Sequence, residues 1–114
     1  MTKIGDGSEL PQKQVVEQAH HDIESSSLKF LNALGAYEND HNLSSVDKDR
    51  LKDLMDQHLE VIRSAVTELK RAGIYKQEVK VENDYSDYMN KGSSESYAAL
   101  EHDIQTLRDY NQLP

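Results

Sequence analysis

A chain of 114 residues is one domain's worth of sequence, enough for a single hydrophobic core. With 13 Lys and Arg against 21 Asp and Glu it carries a net charge of −8, which argues against nucleic acid as a partner, because phosphate contacts need clustered cations. There is no cysteine, so disulfides, thiolate metal sites and cysteine nucleophiles are excluded.

An apolar content of 36% with that charge leans toward disorder on composition alone. Pattern argues the other way, because the apolar residues recur at helical spacing over long stretches. No apolar run approaches the ~20 residues of a membrane span, and no helical pattern carries a basic polar face, so no membrane contact is expected. Residues 1–7 lack the basic start and apolar stretch of a signal peptide, and the expected location is cytoplasmic. They read as a flexible N-terminus ahead of a single helical-bundle domain over 8–114.

Ser8 is the expected N-cap of the first helix, with Pro11 in its first turn, where a missing N–H costs little. Val16, His20, Ile23, Ser27, Phe30, Leu34 and Tyr37 then step alternately by four and three, and Val15, Ala19, Leu31 and Ala33 widen the stripe. Gly35 either ends this helix or is tolerated near its last turn, and residues 39–42 form the connecting loop.

Ser44, with Asp47 three residues on, resembles a capping box and opens a second helix. Its stripe is Leu51, Met55, His58, Ile62, Ala65 and Leu69, flanked by Leu54, Leu59, Val61 and Val66. Leu54, Leu59, Ile62, Val66 and Leu69 are expected to face the first helix. Lys70 and Arg71 complement the helix dipole, and Gly73 supplies the stop. A helix over 46–72 is ~40 Å long at 1.5 Å per residue, which matches the first and predicts an antiparallel hairpin.

The next segment is ambiguous. Ile74, Glu78, Val81, Tyr85 and Tyr88 fit a helix, whereas Tyr75, Gln77, Val79 and Val81 alternate as a strand would. With no partner strand to satisfy its backbone, a short helix or an irregular crossing segment is expected. Gly92-Ser93-Ser94 breaks the chain and offers a cap. A last helix then starts near Glu95 with Tyr97, Leu100, Ile104, Leu107 and Tyr110 facing inward. The fold class is therefore all-α, an antiparallel three- or four-helix bundle built on a long hairpin.

Glu17-Gln18-Ala19-His20 sets a carboxylate and an imidazole on one helical face, as in di-metal carboxylate bundles. Such bundles use two of these steps, and the residues three before His58 and His102 are Met55 and Ala99, which are not ligands. A small metal- or ligand-binding bundle using Glu17, His20, Glu24 and His58 is thus the alternative reading, and no cofactor is expected. His20 and His58 lie on the apolar stripes, either as core imidazoles with one partner each or as a pH-sensitive pair across the hairpin.

No nucleophile elbow and no glycine-rich phosphate loop is present, so no enzymatic activity is expected. Five of the six tyrosines fall late in the chain, at Tyr75, Tyr85, Tyr88, Tyr97 and Tyr110. Tyr joins a large apolar face to one polar tip, which suits either a lean core or an interface. Among the surrounding carboxylates these rings are expected to form a recognition surface for a basic protein partner. A second copy of the chain is the other expected partner. The leading expectation is a non-enzymatic protein–protein interaction module, of inhibitor, immunity or chaperone type.

Overall fold

The computed structural model describes the backbone of residues 3–73 and 81–111 and the side chains of 13–73 and 81–111. Four helices follow in chain order: α1 (Lys3–Asn39), α2 (Ser45–Arg71), α3 (Val81–Lys91) and α4 (Ser94–Tyr110). No strand occurs among the described residues, and the protein is an all-α bundle. The strand-like alternation at Tyr75, Gln77 and Val79 lies outside the described residues. Among the described residues no helix is long and apolar enough to cross a membrane.

Local chemistry explains the boundaries. The Ser44 hydroxyl accepts from the Asp47 N–H at 3.1 Å and opens α2. At its other end Gly73 takes φ +73°, a conformation that favours glycine, while its N–H reaches the Lys70 carbonyl at 3.0 Å. The same device separates α3 from α4: Gly92 sits at φ +61°, and the Ser93 hydroxyl accepts from the Ser96 N–H at 3.2 Å.

The start of α1 differs from expectation. The helix runs from Lys3, so residues 3–7 are helical rather than a lead-in, and Ser8 stands inside the helix instead of capping it. Pro11 then falls about two turns in, where it removes one intrahelical hydrogen bond without ending the helix. Gly35 is likewise passed over, and α1 continues to Asn39.

The core is one cluster drawn from all four helices. Ile23, Phe30 and Leu34 of α1 meet Met55, Ile62 and Leu69 of α2, with Val81 and Tyr88 of α3 and Leu100, Ile104 and Leu107 of α4 completing it. α1 packs against both α2 and α4, and α4 packs against α3, so α1 is the shared spine. The bundle is elongated, 60 × 26 × 24 Å.

Of the residues expected to face the first helix, Leu59, Ile62, Val66 and Leu69 are buried and Leu54 is 37% exposed. Tyr110, expected to face inward, is 49% exposed. Leu54 immediately precedes Met55 in sequence, and one residue is a 100° turn around a helix, which carries it off the buried stripe onto the flank. Val61 before Ile62 and Val15 before Val16 are displaced in the same way, at 40% and 43% exposure.

Candidate interaction surface

The tyrosines form a network inside the bundle. Tyr88 is 3% exposed, and its ring meets Tyr37 and Tyr97 at centroid distances of 6.2 and 5.9 Å. Its hydroxyl donates to Glu38 Oε1 at 2.5 Å. Half-buried Tyr85 stands edge-on to Phe30 at 5.6 Å and donates to Asp56 Oδ1 at 2.6 Å. Tyr97 donates to Glu101 Oε2 at 3.3 Å. Burial, then the acceptor carboxylates, push the Tyr85 and Tyr88 phenols well above the usual value. Burial also raises Tyr97, with Glu101 adding to the shift.

This network ties α1 and α2 to α3 and α4 at the end of the molecule where α1 finishes. Tyr88 has almost no surface to present, and the hydroxyls of Tyr85, Tyr88 and Tyr97 donate to carboxylates of the same chain. Of these acceptors Glu101 is a neighbour of the late tyrosines on α4, whereas Glu38 and Asp56 come from α1 and α2. Tyr110 lies on the last turn of α4, and Tyr75 lies outside the described residues.

The histidines separate as well. His20 Nδ1 lies 2.8 Å from Asn111 Oδ1. Asn111 is buried and commits its Nδ2 to the Leu107 carbonyl at 2.8 Å, so Oδ1 is the acceptor and His20 Nδ1 carries the proton. His58 is half-buried, and burial, with Lys29 nearby, lowers its pKa. His20 is thus engaged with α4's end, and among the described residues no hydrogen bond joins it to His58. Glu17 is exposed and Glu24 half-buried. Among the described residues no three His, Asp or Glu side chains gather where they could hold a metal ion.

A groove of about 630 Å³ lies between α1 and α2. Ala19 and Ala65 line it, and both are buried. Their single-carbon side chains leave space between the helices that a longer residue would fill. Val15 and Val61 supply exposed apolar surface, and Asp22, Glu60 and Glu68 bring carboxylates. No Lys or Arg is among its described lining residues, and Arg71 lines the adjoining concavity that shares Val15 and Glu68. Glu68 pairs with Arg71 at 3.2 Å, and Glu60 pairs with Arg63. Arg63 also bonds Glu82 of α3, on the flank of α2 away from Val61. These pairs are exposed and contribute little to stability.

Sequence reasoning passed over this groove, although its signal was present. Val15 and Val61 each stand one position ahead of a stripe member, and an apolar residue so placed can stand at the stripe's open edge. Comparison with protein-family models, curated proteins and solved structures finds no match.

Proposed function

We propose that this protein is a non-enzymatic protein–protein interaction module whose contact surface is the groove between α1 and α2. The supporting observation is the coincidence, at one place, of exposed Val15 and Val61 with a concavity lined by Ala19 and Ala65. Exposed apolar side chains gathered around a concave site mark a surface that gains from being covered. The tyrosine network supports the same reading indirectly, since it holds the far end of the bundle together and leaves the groove as the presented feature. An inhibitor, immunity or chaperone-type protein works through such a surface without chemistry of its own.

The test compares capture from the source cell by the unaltered protein, Val61→Arg and Leu28→Arg, followed by mass spectrometry. Leu28 is also exposed, at 46%, but does not line the groove. A protein held by the unaltered chain and by Leu28→Arg, and lost with Val61→Arg, supports the reading. Equal capture by all three contradicts it.

A further inference from the structure

Resting on that reading, we infer that the α1–α2 groove receives a short amphipathic helix whose apolar stripe is made of small residues and is flanked by Lys or Arg. The shape of the groove indicates a helix. Its lining residues run from Gln14 to Asp22 on α1 and from Glu60 to Glu68 on α2, so it follows both helix axes for two to three turns, ~12 Å. An additional helix laid along two antiparallel helices packs ridges into their groove and keeps its own backbone satisfied. A strand would leave its backbone groups facing side chains with no edge to pair against.

The side chains indicate the sequence of that helix. Ala19 and Ala65 allow close approach, so Ala- or Val-sized residues at i, i+3 or i+4, and i+7 fit between Val15 and Val61. Asp22 of α1 and Glu60 and Glu68 of α2 border this apolar strip, with no cation among its described lining residues and Arg71 in the adjoining concavity that shares Val15 and Glu68. Asp22 accepts a neutral hydrogen bond from Gln18 Nε2 at 2.8 Å. Glu60 and Glu68 hold exposed arginines three positions along their own helix, and such contacts are readily exchanged. Lys or Arg on both flanks of a docked helix would therefore meet carboxylates on both walls. A second copy of the chain is the poorer fit, because it brings a further net charge of −8 to an acidic groove.

The ¹⁵N-labelled full chain, titrated with three synthetic helical peptides and followed by NMR, provides the test. One peptide carries an Ala/Val stripe with Lys flanks, the second has Glu in place of Lys, and the third scrambles the first so that its stripe is lost. The expected result is saturable binding of the first alone, with shift changes concentrated in 14–22 and 60–68. Val61→Arg should weaken that binding at least ten-fold and Leu28→Arg by less than two-fold, with both variants as helical as the parent by circular dichroism. Equal binding of the scrambled peptide reduces the contact to bulk charge and overturns the inference. Groove binding by the Glu peptide overturns the basic assignment while leaving the groove as an interaction surface. Groove resonances that move on dilution of the chain alone, with no peptide bound, make the occupant a second copy. Binding of no peptide and no change on dilution overturn the helix assignment, and the capture experiment then decides the interaction reading separately.

Discussion

His20 on α1 and Asn111 at the end of α4 are 91 positions apart in sequence and meet at 2.8 Å. Asn111 also closes α4, its backbone N–H reaching the Leu107 and Arg108 carbonyls at 3.3 and 3.2 Å. Asn111 therefore does two things: its backbone caps the last helix and its side chain anchors that helix to α1.

Replacing His20 by Ala leaves the buried Asn111 Oδ1 without this donor, and such a loss costs ~1–3 kcal/mol. Urea unfolding should show that loss for His20→Ala and a similar one for Asn111→Ala. The double variant should lose less than the two added together, because each single change already breaks the same bond. Strict additivity would show that the pair is not coupled.

The tyrosine network sets an alkaline limit on stability. Tyr85 and Tyr88 have phenol pKa values raised above the unfolded value near 10. A group whose folded pKa is raised contributes stability that is fully present below the unfolded pKa and is lost as pH rises through the folded one. Absorbance at 295 nm should therefore show these two phenols still protonated when exposed tyrosines have ionised, and ionising only together with loss of helical circular dichroism. Ionisation of all six tyrosines near pH 10 with the helices intact would refute the network.

Gly35 lies within α1, and a Cβ built there meets nothing within 4 Å. Gly35→Ala removes the entropic cost of a helical glycine and should stabilise the protein by roughly 0.5–1 kcal/mol. Thermal unfolding that shows a lower Tm instead would mean that this stretch of α1 is not continuous helix in solution.

Much of the fold was legible because its determinants are local. Ser44 and Asp47 sit three apart, Gly73 and Gly92 stop their helices, and the stripe from Met55 to Leu69 repeats within one element. What was not legible depends on which elements meet. Nothing near Tyr88 in the sequence says that its ring is covered by Tyr37 and Tyr97 or that Glu38 accepts its hydrogen bond. Tyr suits core and interface alike, so its side had to come from packing. The His20–Asn111 contact closes over most of the chain. Leu54, Val15 and Val61 show the limit of periodicity, since a stripe's edge is buried only where a neighbouring helix covers it.

The most direct measurement places a photo-reactive amino acid at position 61, in place of Val61, and separately at position 28, in place of Leu28, in the full chain in its own cells. Both positions are exposed, at 40% and 46%, so reactivity with solvent is comparable, but only position 61 lines the groove. The account expects a discrete light-dependent adduct from position 61 and none of that mass from position 28. An adduct from position 28 alone, or the same adduct from both, would contradict the assignment of the groove as the contact surface.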